Sequence, residues 1–338
     1  MHRIDRSPRC PGSVLVLVLV TLLLFSTVTL RVVHHAALAE EEHVLLLQSA
    51  NAAFQAEAAV HKALEIISSF SDHIGATDPP LSLPRWQEDG IRITITPTNT
   101  KLNLNALHPP FLPPQAMARM QDGLERFLRT AEVHGRFSED PRQEFQGDMR
   151  NILRWLGEGH DPDQPDAARA ADAPYSGFQP SYRPRKGPMQ RPEELLLVAG
   201  FSALDPEWVR QSFTVWGTDG RINLNLAEEE LILALAPELR TYWPGILRHR
   251  TENGFQRLDE LITRVGLPMD LYQRVLPHLT ISVDILEVLI EVRQPAWYEQ
   301  HRLIVERPSI LTDIPPRILA RDIIVSRPIR NTDPLPFR

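Results

Sequence analysis

The chain has 338 residues, enough to bury a substantial core and to form two domains. Its formal net charge of −7 argues against binding a phosphate backbone as its main task, which calls for clustered positive charge. Its single cysteine, Cys10, sits near the N-terminus, so the rest of the chain can form no internal disulfide even in an oxidising compartment.

Residues 1–12 form a short leader in which Arg3, Arg6 and Arg9 outweigh Asp5, a bias that keeps it on the cytoplasmic side. Ser13–Leu30 is a mostly apolar stretch of 18 residues with no charge, near the lower limit for crossing a bilayer core of about 30 Å. A secretory signal peptide places its small-residue cleavage site after the apolar core. Here the small residue, Gly12, comes before it, so a cut there leaves the apolar helix on the mature protein.

This arrangement resembles the leader of type IV pilins and type II secretion pseudopilins, which a prepilin peptidase cleaves after a glycine. The resemblance implies cleavage between Gly12 and Ser13 and N-methylation of Ser13. It also implies a glutamate at the fifth mature position, where this chain has Leu17. A carboxylate in the membrane is costly unless paired, and the family's glutamate pairs with a neighbouring subunit's N-terminus. The member that typically lacks it is the K-type minor pseudopilin at the fibre tip. Loss of a leader with three arginines and one aspartate would make the mature chain more acidic by two charges.

Helix formers continue past Arg31, and no Gly or Pro occurs between Ser13 and Ser71. Leu46, Ala50, Ala53, Phe54, Val60, Leu64 and Ile67 recur at three- to four-residue spacing and predict one apolar stripe. Gly75 and Pro79-Pro80 end the segment. The expectation is a helix over Ser13–Phe70, roughly 87 Å long, with 13–30 in lipid and the rest free to lie on a sheet. His34, His35, His43 and His61 fall on it as surface or packing residues.

Sheet candidates lie at the two ends of the remaining chain. Residues 90–97 alternate β-branched and polar side chains, and 279–292 and 298–306 read as two further strands around a turn at 294–296. The stretch between lacks strand patterning. The predicted fold class is therefore α+β: a long, partly transmembrane N-terminal helix packed on a small antiparallel sheet (76–104 and 279–308), with a large all-helical domain (105–278) inserted. Residues 309–338, rich in proline and arginine, read as a loosely held tail with at most one strand at 322–325.

Inside the insert, Lys101-Leu-Asn-Leu-Asn-Ala106 recurs as Arg221-Ile-Asn-Leu-Asn-Leu226. Asn103, Asn105, Asn223 and Asn225 read as structural caps, with Asn105 and Asn225 at helix N-cap positions. These repeats, together with Trp155 and its acidic loop, Tyr182-Arg-Pro184 and Glu194-Leu-Leu-Leu-Val-Ala-Gly200, resemble the K subunit of the type II secretion system, also called general secretion pathway protein K, in order and over nearly the whole chain.

That resemblance implies a structural protein with no catalytic residues and no required cofactor. It implies an inner-membrane, single-pass anchor with the C-terminal domain in the periplasm. Its partners would be other minor pseudopilins, the major pseudopilin, prepilin peptidase and the inner-membrane secretion platform. The family's acidic loop can bind calcium, which takes six to eight oxygen ligands. Gly157 and Gly159 stand here near positions that often carry acids, leaving Glu158, Asp161, Asp163, Asp166 and Asp172 as candidate ligands. Two alternatives remain at this point: a minor pilin of a related type IV pilus machine, or a membrane-anchored DNA-binding protein. The second rests on residues 223–266, which resemble a helix-hairpin-helix repeat. Its hairpin, Pro237–Gly245, lacks the Gly-x-Gly turn and holds Glu238, Trp243 and Pro244 where a phosphate would sit. The basic residues Arg183, Arg185, Lys186 and Arg191 could meet an acidic partner or form a solvated linker.

Overall fold

The computed structural model describes residues 11–69, 85–108, 114–133, 135–137, 147–157, 172–177, 180–217, 219–307 and 314–329. Helix α1 is a single element of 58 residues, Pro11–Ser68. The large apolar side chains of its first half, from Leu15 to Val33, are exposed among the described residues. Among the described helices it alone has the length and composition to cross a membrane.

The second half lies on a five-stranded antiparallel sheet of order β1-β2-β7-β8-β9. These strands are β1 (Arg85–Glu88), β2 (Ile91–Pro97), β7 (Ile285–Arg293), β8 (Trp297–Glu306) and β9 (Arg317–Pro328). Alternation in β2 and β7 turns Ile93, Ile95, Leu286, Val288, Ile290 and Val292 toward α1, with Leu303 and Val305 of β8 beside them. Against these α1 presents Ala52, Ala56, Ala59, Val60, Ala63 and Ile67.

The stripe thus differs from the one expected at its N-terminal end. Leu46, Ala50, Ala53 and Phe54 are exposed, Phe54 by 75%. Hydropathy favours the large side chains, whereas at this end the close helix–sheet approach is filled by the methyls of Ala52, Ala56 and Ala59, so here the buried and the apolar faces are not the same face. Leu for Ala56, whose side chain is fully buried, is expected to cost about 1–3 kcal/mol through overpacking. An unchanged thermal midpoint for that variant would mean that α1 does not seat here.

Polar contacts fix the helix axially. Gln48 Oε1 accepts from the Ala296 amide in the β7–β8 turn at 2.6 Å, and Gln294 Nε2 donates to Gln55 Oε1 at 2.6 Å. Arg321 of β9 donates to Glu57 at 2.7 Å. That ion pair holds the Glu57 carboxyl below its usual range. On β8, Glu299 and His301 form a buried pair at 2.6 Å on the face that carries Leu303 and Val305.

One strand of the sheet, β1, was not foreseen, and another, β9, was foreseen only over 322–325. The β1–β2 hairpin turns at Asp89-Gly90, both with positive φ, as a two-residue primed turn requires; a Cβ on Gly90 would lie 2.6 Å from the Arg293 carbonyl oxygen. In the C-terminal segment, expected as a loose tail, residues 317–328 form a full edge strand paired to β8 with two register shifts. Its sequence alternates poorly because the bulges break the period of two.

Strands β2 and β7 are neighbours, so everything between them, residues 98–284, is the insert. It contains α2 (Pro114–Val133), α3 (Met149–Trp155), α4 (Pro206–Ser212), α5 (Glu229–Leu235), α6 (Trp243–Glu252), α7 (Glu260–Thr263) and α8 (Met269–Val275). It is not purely helical. Two-residue strands β3 (Leu102–Asn103) and β4 (Phe213–Thr214) pair in parallel, as do β5 (Ile222–Asn223) and β6 (Leu279–Thr280). The insert has its own apolar core, which includes Leu104, Leu124, Phe201, Phe213, Ile232, Ile246 and Phe255, separate from the core under α1.

Candidate functional site

The features able to act on a partner are α1 and the bulk of the insert. Gly12 and Ser13, the expected cleavage pair, fall in the first turn of α1 behind Pro11. Leu17, at the position where a glutamate is usual, is 66% exposed one turn further on. Phe54, Leu46 and Leu47 lie exposed on the part of α1 that runs over the sheet. A helix that buries one face and leaves large apolar residues on another is suited to packing beside a second helix.

The insert is built around the repeated asparagines, and their roles divide. Asn103 Oδ1 accepts from the Asn105 amide at 3.0 Å, and Asn223 Oδ1 accepts from the Asn225 amide at 2.9 Å. These two are the capping turns. Asn105 and Asn225, expected as caps, do something else. Asn225 Oδ1 accepts from the Phe255 amide and its Nδ2 donates to the Phe255 carbonyl, both at 2.8 Å. Asn105 pairs in the same way with Met189, at 2.8 Å in each direction, and also donates to Val215 O at 3.0 Å. A carboxamide matches one donor and one acceptor of a remote backbone residue at once, which neither Asp nor Leu can do.

The repetition extends beyond the asparagines. Each motif pairs in parallel with a Thr-containing strand, Asn103 beside Thr214 and Asn223 beside Thr280. In each partner the threonine hydroxyl accepts from the amide two residues on, Trp216 at 3.1 Å and Ser282 at 3.2 Å. The insert therefore holds two copies of one unit: an Asn-x-Asn turn, a parallel bridge, and an apolar-Thr-apolar strand (Phe213-Thr-Val215, Leu279-Thr-Ile281). The strand half Phe213–Thr214 escaped sequence reading because two residues of ladder carry no periodic signal, whereas Leu279–Thr280 was read as the start of the longer strand over 279–292, which the structure divides in two.

Of the candidate calcium ligands, Glu158, Asp161, Asp163 and Asp166 lie outside the described residues. Asp172 is described, and it faces cations: Lys186 Nζ at 3.1 Å and Arg183 at 3.8 Å. Lys186 reaches it from a left-handed backbone conformation, φ 57°. A calcium ion held by Asp172 would have to displace that ammonium, so this carboxylate fits the ion poorly. Among the described residues no group of three His, Cys, Asp or Glu side chains is placed to hold a metal. Next to Asp172, Trp155, Tyr175 and Tyr182 cluster, Trp155 and Tyr182 edge to face and the other two pairs tilted, and burial pushes the Tyr175 hydroxyl up to about 12.

The basic residues of 183–191 are engaged internally. Besides Arg183 and Lys186, Arg185 reaches Glu194 at 3.5 Å and Arg191 reaches Asp322 at 2.8 Å. The hairpin region offers no phosphate cradle either. Trp243 is buried at the start of α6, His249 binds Glu260 at 2.8 Å, and Arg250 donates to the Ala227 carbonyl at 2.7 Å.

Residues 100–217, which include the first Asn-x-Asn unit through its partner strand, match the family model described as type II secretion system, protein K. No curated protein matches the sequence significantly. Among solved structures, a chain of the GspK-GspI-GspJ complex of the enterotoxigenic Escherichia coli type 2 secretion system has the same fold, with a TM-score of 0.58 at 13% sequence identity. The similarity covers 81% of this chain and 95% of that one. Residues 100–217 are thus similar to the type II secretion system protein K family, and the fold over most of the chain is that of a chain of the GspK-GspI-GspJ complex.

Proposed function

We propose that this chain is a minor pseudopilin that forms or caps the tip of the type II secretion pseudopilus and so supports protein export across the outer membrane. The family match over 100–217, in a chain whose apolar α1 emerges from a pilin-like helix-and-sheet fold, carries this reading. The role is mechanical and no chemistry is assigned to any residue. Residues 13–30 anchor the chain in the inner membrane, the leader stays cytoplasmic and the remainder lies in the periplasm. Partners are other minor pseudopilins, since the solved relative of like fold is a complex of GspK with GspI and GspJ. Prepilin peptidase, the major pseudopilin and the inner-membrane platform complete the set.

Capping follows from shape. Helices of successive subunits stack side by side, and an insert of 98–284 beyond the sheet fills the space that a further subunit would need. Leu17 adds to this, because it offers no carboxylate for the N-terminus of a subunit above.

The exposed face of α1 is the assembly surface in this reading. Phe54→Asp places a charge in an apolar helix–helix contact, where large-to-polar changes at well-buried anchors cost about 2 kcal/mol or more. Copurification of the other minor pseudopilins is expected to fall at least about tenfold, with the thermal midpoint unchanged because Phe54 is largely exposed among the described residues. Full recovery of partners by Phe54→Asp together with Leu47→Asp would overturn the assignment of this face.

A further inference from the structure

The two apolar cores are separate clusters, with Leu226 of the insert packed against the core under α1, and on the opposite face of the sheet the contact between insert and sheet is mostly charged. The sheet face opposite α1 carries Glu287, Arg302, Ile304 and Asp322, and the insert lies over this end of it. Lys101 Nζ meets Glu287 Oε2 at 2.6 Å. Arg302 meets Asp322 at 3.1 Å within the sheet and Glu193 of the insert at 3.9 Å. Arg191 of the insert meets the other oxygen of Asp322 at 2.8 Å. A cavity of about 30 Å³ lies among Lys101, Arg210, Phe213, Glu287, Arg302 and Asp322, room for about one water. Buried Ile304, which belongs to neither core, meets Phe213 and Trp216 from the edge of the insert's core at this contact.

The other attachment is a crossing of the two chain links. Thr98 Oγ1 donates to Ile285 O at 3.1 Å, and Asn99 Nδ2 donates to Ser282 O at 2.7 Å. Asn223 Nδ2 reaches the same Ser282 carbonyl at 3.3 Å. These bonds are neutral and so resist salt, and those of Thr98 and Asn99 join residues next to the links themselves, where they permit rotation.

We propose that the insert is a hinged body: it pivots at the crossing of 98–102 with 280–285 and is held against the sheet by an ionic latch centred on Arg302 and Asp322. Half-buried ion pairs gain little over their solvated state, because desolvation offsets attraction. An interface held in this way opens at modest cost, unlike the continuous apolar cores on either side of it. Small interfaces between parts of one chain permit relative motion unless they are large and apolar. The latch gives a pilus-tip subunit two positions for its bulkiest part without disturbing the packing of α1. It does not depend on the secretion role, since every contact invoked lies inside this chain.

The test is a distance measurement on the full chain in detergent micelles. With Cys10→Ser, spin labels are placed on exposed Ser326 of β9 and exposed Glu252 of α6. At about 0.05 M salt a single narrow distance distribution is expected. At about 1 M salt, where the screening length falls to about 3 Å, the distribution should broaden roughly twofold or gain a second population. Arg302→Met, which keeps the aliphatic stem, and Asp322→Asn, which keeps the shape, should show the broadened distribution already at low salt. The salt titration of the unsubstituted latch decides the matter should a variant misfold. One narrow distribution at both salts and in both variants would overturn the proposal and make the insert a rigid extension of the sheet.

Discussion

Asn225→Ala is expected to destabilise the insert by about 3–5 kcal/mol, more than any exposed substitution in the chain. The side chain is fully buried, and both of its polar atoms pair with the Phe255 backbone at 2.8 Å. Truncation leaves a buried amide and a buried carbonyl without partners, at about 1–3 kcal/mol each. A small cavity adds to this beside Phe255, which is itself fully buried. Asn225→Asp should be little better: a carboxylate accepts from the Phe255 amide but repels its carbonyl, and a charge is buried without a partner. By contrast Asn223→Ala removes a turn contact and a 3.3 Å bond, a loss of about 1 kcal/mol. Denaturant titration followed at the Phe255 amide by hydrogen exchange separates these cases. Equal losses for the two asparagines would mean that the clamp is no stronger than the cap.

The same comparison explains how far the sequence carries. The Asn-x-Asn pair was visible because the motif repeats, and its turn-forming half could be read from local chemistry alone. The clamping half could not, since Asn105 meets Met189 and Asn225 meets Phe255 across 84 and 30 residues of chain. Long-range partners of this kind leave no local pattern. The helix of α1 was legible from propensity and from the absence of Gly and Pro. The face that packs was legible only from Val60 to Ile67, because Ala52, Ala56 and Ala59 are small and carry little hydropathy.

Strands β2, β7 and β8 announced themselves by alternating buried and outward residues, one face on α1. Strand β1 has four residues of which three are exposed, and β9 is an edge with bulges, so neither alternates. The interface between insert and sheet was the least readable part. Lys101, Glu193, Arg302 and Asp322 look like any solvated charges in the sequence, and only the paired order β2-β7 brings them together. Arg183 and Lys186 likewise read as linker charges, whereas the fold turns both toward Asp172.

The largest effect on function is expected at the leader. Pro11 suits the first position of a helix because its missing N–H has no partner there in any case. Gly12 beside it weakens that turn by about 1 kcal/mol relative to alanine. The start of α1 is therefore its cheapest part to open, and a peptidase that cleaves an extended backbone can reach the bond before Ser13 while the apolar stretch from Leu15 stays helical. Gly12→Val places a branched side chain at the cleaved bond, where the peptidase must approach the backbone closely. Processing should be abolished, and the mass of the membrane-extracted chain should retain all 12 leader residues. The unsubstituted chain should begin at Ser13, N-methylated, with the leader's three arginines and one aspartate gone. A retained leader keeps those arginines on the cytoplasmic side, so α1 could not leave the membrane to join a fibre, and copurification with partner pseudopilins should fail although the insert and sheet melt normally. A Gly12→Val chain that still starts at Ser13 would sink the prepilin reading. A chain processed after Leu30 would make the apolar stretch a disposable signal and leave the assembly helix without its anchor.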